Sequence, residues 1–145
     1  MFLKSYLITI DKIFHYEPCN VFSIFLAGKQ LNCCGSYGGE NAVIGQEYRV
    51  YFALEAAYSF HSNCREKNVS IDPASVQSNF DGSNIFVSGI YQGKTHDPYD
   101  EDDELYCIDS LFTVYSDLEL SDFKLEAREG SYVSIHGILA VNFMS

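Results

Sequence analysis

Basic residues are scarce in this chain. Nine lysines and arginines stand against twenty aspartates and glutamates, for a formal net charge of −11. The nine are scattered, and no basic stripe emerges. A nucleic-acid groove needs such a stripe, and an anionic lipid surface repels this balance, so neither partner is expected. No CxxC occurs among the five cysteines, Cys19, Cys33, Cys34, Cys64 and Cys107. An odd number with two adjacent does not make a secreted disulfide framework. No apolar run reaches bilayer length. The opening "MFLKSYLITIDKIF" is broken by Lys4 and Asp11 and lacks a small-residue cleavage site. These absences give the expectation of a reduced, cytoplasmic protein with no membrane contact. Internal repeats and low-complexity linkers are also missing.

What is present is apolar substance. Of 145 residues, 47% are hydrophobic and 15% aromatic, too many for a disordered chain despite the charge. The length suits one domain, residues 1–145, with a core that needs no staples.

Alternation dominates the pattern and predicts strands. Tyr6, Ile8, Ile10 and Phe14 share a face of "SYLITIDKIF", and "NVFSIFLA" is a continuous apolar run. Tyr48, Val50, Phe52 and Leu54 alternate with Glu47, Arg49 and Glu55. Ile85 and Val87 alternate, as do Tyr106, Ile108, Phe112 and Val114 in "ELYCIDSLFTVYS", read as one strand. The clearest series is Val133, Ile135, Leu139, Val141 and Phe143, with Gly137 inside it at a place suited to a bulge. "CCGSYGGEN" (33–41) reads as a glycine-rich turn between the second and third strands. "DFKLEAREGSYVSI" reads as a hairpin, with a helix over 118–125 as the rival. One short helix is expected at "IDPASVQSNF", where Asp72 caps and Pro73 takes the first position. The expected fold is mainly β, a single antiparallel β-barrel or sandwich with one short helix. The element order and glycine placement are similar to an OB-type barrel.

The densest chemistry is "HDPYDEDDELY", 96–106, where Asp97, Asp100, Glu101, Asp102, Asp103 and Glu104 are flanked by Tyr99 and Tyr106. A calcium loop of the EF-hand kind fails in both frames: position twelve is Leu111 counting from Asp100 and Ile108 counting from Asp97. Carboxylates in a row on an extended chain alternate in direction and do not converge on one ion. Beside a weak calcium site in a specially shaped loop, two readings remain. One is a solvated loop between strands, whose charges keep edges apart. The other is a surface for a basic partner, which would relieve the self-repulsion of the run, with tyrosine contributing apolar contact.

Other signals are thinner. "HSNC" gives His61 and Cys64, half of a zinc site whose other half would have to be Cys33–Cys34. Adjacent residues of a strand point apart, so small core cysteines are the simpler reading. "GSYGGEN" is no phosphate loop, because no lysine follows and no helix opens there. Tyr51, Tyr91, Tyr106 and Tyr132 would suit base stacking if exposed, but without a basic groove they read as half-buried strand residues. No metal, cofactor or catalytic motif is expected.

A small, acidic, cytosolic chain without catalytic motifs resembles the immunity proteins of bacterial toxin systems, those of contact-dependent inhibition and related polymorphic toxins. The resemblance is one of general character and carries over no functional residue. It implies a cognate toxin, of nuclease type for example, whose basic substrate-holding residues are occluded by carboxylates. The contact surface expected is Asp97, Tyr99, Asp100, Glu101, Asp102, Asp103, Glu104 and Tyr106, with the turn near Tyr37 second. A nucleic-acid mimic and a small-ligand or sugar module are the alternatives.

Overall fold

The computed structural model describes residues 3–15, 20–74, 83–97, 100–117 and 128–144, with backbone alone for 36, 37, 97 and 100–103. It is mainly β. Nine strands follow in chain order: β1 (Tyr6–Phe14), β2 (Val21–Leu26), β3 (Lys29–Tyr37), β4 (Glu47–Ser59), β5 (Asn68–Ile71), β6 (Asn84–Asp97), β7 (Asp100–Asp109), β8 (Thr113–Ser116) and β9 (Tyr132–Phe143).

The axis of the fold is the antiparallel pair β4–β9, in register from Val50 with Phe143 to Ser59 with Ile135. Each of these long strands splits its other side between two neighbours. β4 pairs with β1 over Glu47–Val50 and then, in parallel, with β8 over Phe52–Leu54. β9 pairs with β6 over Tyr132–Ile138 and then, in parallel, with β3 over Ala140–Asn142. Two rings of five result, β1-β2-β3-β9-β4 and β6-β7-β8-β4-β9, sharing β4 and β9. The pairing pattern of β1–β4 is thus repeated by β6–β9, with β4 and β9 exchanging places, although the sequence shows no repeat. Closure is ring-like, and the OB-type barrel, a five-stranded fold, agrees with one ring in strand number only.

One hydrophobic core runs through both rings. Ile8, Ile24, Leu31, Val50 and Phe52 come from the first, and Ile85, Val87, Ile108, Val114 and Ile135 from the second. Alternation explains the choice, since these positions recur every second residue. A smaller cluster of Tyr51, Leu105, Cys107 and Tyr115 packs apart from the main core.

Several boundaries differ from expectation. Residues 33–37 are not turn but the second half of β3, whose hairpin with β2 turns at Ala27 and Gly28, both with positive φ. "ELYCIDSLFTVYS" is two strands, because the chain reverses at 110–112 and Ser110 Oγ donates to the carbonyls of Ser88 and Asn68. In keeping with the strand pattern, β4 runs on through the "ALEAAYS" stretch, with a bulge between Glu55 and Tyr58, where Ala56 takes a φ of 49°. Gly137 lies against that bulge: a Cβ there would sit 3.1 Å from the Glu55 carbonyl oxygen. The expected helix begins as a tight turn at Pro73–Ala74, and its remainder lies outside the described residues, as does the 118–127 segment.

Candidate functional site

The acidic run folds as a strand, not as a loop. β6 and β7 pair from Ile90 with Asp109 out to Asp97 with Asp100, so only Pro98 and Tyr99, outside the described residues, separate them. β9 leaves β6 after Ile90, and β8 pairs with β7 only from Tyr106 onward. Beyond those points the hairpin continues as a two-stranded ribbon. Among the described residues, the outer side of 100–104 has no strand partner. Gly93 makes this continuation possible. It sits in the irregular pairing between Tyr91 and Lys94 with a φ of 99°, a conformation glycine adopts without strain. Glu129 leans over it, and a Cβ at that position would meet its carboxylate oxygen at 2.7 Å.

At the base of the ribbon, Lys94 Nζ lies 3.4 Å from Glu104 Oε2 and 5.7 Å from the centre of the Tyr106 ring. Glu104 is exposed, as expected of a surface residue. Tyr106 is not: it is 2% exposed, with its ring 6.1 Å from that of Tyr91. Its place in the expected contact surface is therefore corrected. Glu104 and Tyr106, two residues apart, share one face of β7; that face is open at Glu104 and covered at Tyr106, whose ring packs in the main core. Burial raises the pKa of both tyrosine hydroxyls; for Tyr91 the neighbouring Tyr106, Glu129, Cys107 and Glu104 add to the effect. The side chains of Asp97, Asp100, Glu101, Asp102 and Asp103, and all of Tyr99, lie outside the described residues. The tyrosines read as half-buried strand residues lie deeper than that in three cases: Tyr51, Tyr91 and Tyr106 are buried, and Tyr132 is half-buried.

Charge is divided unevenly along the chain. Residues 1–50 contain four acids (Asp11, Glu17, Glu40, Glu47) and four bases (Lys4, Lys12, Lys29, Arg49). The other sixteen acids and five bases follow, so the whole formal charge of −11 arises from residues 51–145.

A second cluster escaped the sequence reading. Tyr58, His136 and Phe86 stand opposite one another on β4, β9 and β6. The imidazole centre is 4.9 Å from the Tyr58 ring and 4.8 Å from the Phe86 ring, and Phe60 lies against Phe86 at 5.6 Å. His136 Nε2 is 2.8 Å from Asp72 Oδ2, while Asp72 Oδ1 accepts from the Ala74 N–H at 2.9 Å. These contacts hold the Asp72 carboxyl below the usual carboxylate range, the Ala74 N–H first and His136 second. A histidine oriented by a carboxylate is half of a nucleophilic triad. Among the described residues, no hydroxyl or thiol bonds to this histidine, and Asp72 already occupies Nε2. The cluster therefore ties the turn after β5 onto the sheet. The capping role of Asp72 was readable; its histidine is 64 positions away and had no local signal.

Cys33 is buried and its Sγ lies 3.5 Å from the Phe22 carbonyl oxygen; burial pushes its thiol pKa up, with Cys34 adding to the effect. Cys107 is buried too, while Cys64 sits half-buried after β4 with its Sγ toward the Glu66 carbonyl. Cys34, expected in the core, is only partly buried and faces Ser83. Cys19 lies outside the described residues. Among those residues, no three His, Cys, Asp or Glu side chains gather as metal ligands. No helix there is long and apolar enough to cross a membrane. Comparison with protein-family models, with curated proteins and with solved structures finds no match.

Proposed function

We propose that this chain is an acidic, non-catalytic, cytoplasmic binding protein that neutralises a basic protein partner. The form that fits best is an immunity protein occluding the active site of a cognate toxin, with a nuclease the best match in charge. The observation that carries the reading is the placement of 100–104: a dense acidic run on one strand of a ribbon that outruns the closed rings. A solvated loop would not need to be held in a paired strand. A basic surface meeting the ribbon gains Coulomb attraction that also speeds encounter. The whole acidic excess lies in the part of the chain that contains this ribbon.

The test is capture of partners on the immobilised protein at low salt, with elution by salt. A variant carrying Asp100→Asn, Glu101→Gln, Asp102→Asn and Asp103→Asn serves beside the wild type. The expected result is one stoichiometric basic protein whose association slows at least tenfold on the variant, and whose toxicity falls when the two are co-expressed. A captured DNA-binding protein that is not toxic would favour the nucleic-acid mimic instead. An association rate unchanged by the four substitutions at low salt would remove the ribbon from the interface.

A further inference from the structure

The first ring carries an apolar surface that the proposed function does not use. Leu7 and Phe25 are 55% and 62% exposed. They occupy the outward positions beside Ile8 and Ile24, whose side chains enter the core. Ile10 pairs with Ile24, which brings Phe25 alongside the strand segment that follows Leu7. On the other side of Ile10, its carbonyl accepts the Gly45 N–H at 2.8 Å and its N–H donates to Gln46 O at 3.2 Å. The loop before β4 is thereby laid beside the same segment, and its Val43 and Ile44 are 53% and 58% exposed. Four large apolar side chains thus surround one stretch of β1. An apolar group of this kind on a chain with a formal charge of −11 is an interaction surface rather than scattered exposure.

The charges around it select the occupant. Asp11, Lys12, Glu47 and Arg49 are all exposed there, two of each sign. None of them forms an ion pair within the chain among the described residues, whereas Lys67, Lys94 and His136 do. A surface with equal numbers of both signs complements its own two-fold image, because each acid of one copy can face a base of the other. An acidic or a basic partner would be matched by only half of these charges. Any two copies also repel through the acidic excess of residues 51–145, and contact through residues 1–50, which carry no net charge, adds nothing to that repulsion.

We propose that this face is a homodimer interface. Two copies meet around Phe25 and Leu7 on a two-fold axis, with the opposed charges pairing across the rim. A standard interface covers about 800 Å² per partner. That is about a tenth of the 8316 Å² surface of this chain, so the charged rim has to join the apolar centre.

Sedimentation velocity on the full chain in physiological salt, from about 1 to about 100 micromolar, tests this. The wild type is expected to be dimeric over the upper part of that range. Phe25→Asp and Leu7→Asp should each raise the dissociation constant roughly 100-fold, as loss of a central anchor does, with an unchanged circular dichroism spectrum. Should either aspartate variant misfold, Phe25→Ser and Leu7→Ser give the same readout with less disturbance. Asp100→Asn with Asp102→Asn should leave the dimer intact, because neither residue belongs to the proposed face. A wild type that stays monomeric throughout overturns the proposal and leaves the face to a different protein. A dimer indifferent to substitution at both Phe25 and Leu7 overturns it as well.

Discussion

Asp72 accepts two hydrogen bonds at once, from the Ala74 N–H and from His136. Both favour its charged form, so its pKa is lower folded than unfolded. A group depressed in this way contributes stability above its unfolded pKa and loses it as pH falls through the folded value. Asp72→Ala should therefore melt below the wild type near neutral pH. The gap should close as pH drops below the ordinary carboxylate value of about 4. Melting curves of the two proteins across that range check it; a gap constant with pH would mean that the capping geometry, not the charge, matters. Asn142 presents the opposite case. It is 3% exposed, and its Oδ1 is buried with no hydrogen-bond partner among the described residues. Leaving such an atom unsatisfied costs about 1–3 kcal/mol. Asn142→Leu, of similar volume, is expected to raise stability by about 1 kcal/mol in denaturant melts. A loss of stability instead would show that a water or ligand satisfies the oxygen in solution.

Among the elements, β6 and β7 leave no room for a side chain at Gly89, where a Cβ would lie 2.5 Å from the Asp109 carbonyl oxygen. Gly89→Ala should lower stability by about 1–3 kcal/mol, the usual cost of forcing atoms into a packed site. Chemical denaturation measures it, and a neutral result would mean that the hairpin yields more readily than its pairing suggests. Much of the strand content was legible in the sequence, since alternation records which side meets the core. Ile8 and Ile10, Val50 to Leu54, Ile85 and Val87, and Ile135 to Phe143 all fall where the pattern put them. Three things were not legible. The β2–β3 turn uses Ala27 before Gly28, a pair without the usual turn signature. The reversal between β7 and β8 is hidden because the apolar pattern continues through it. The ring closure depends on pairings far apart in sequence, such as Cys34 with Ala140, which local periodicity does not encode. The acidic run was found by its density; Tyr106 was read both in the alternating series with Ile108 and in the contact surface, and its burial favours the first.

At the scale of the molecule, the two repeated units lean on each other. β1–β3 close onto β9, and β6–β8 close onto β4, so neither unit completes its ring from its own strands. Fragments 1–71 and 84–145 should each be unfolded alone and should regain the β signal in circular dichroism when mixed. A folded 1–71 fragment would show that the first ring is stable without β9. The division of charge follows the same plan, with the acidic excess in the part containing the second ring's ribbon and the balanced part carrying the apolar face.

The shared position of β9 also governs how the protein comes into being. Of the nine strands it is the last to leave the ribosome, and both rings contain it. A growing chain that has already released β1 to β8 can form hairpins, but it has no strand with which to finish either enclosure. Until Tyr132–Phe143 emerges, the faces bearing Phe22, Phe52 and Ile108 stay open to water and to one another. Closure of both rings is thus postponed until β9 is released, and a stall before it would hand the cell a wet, sticky intermediate for chaperones or proteases to take up.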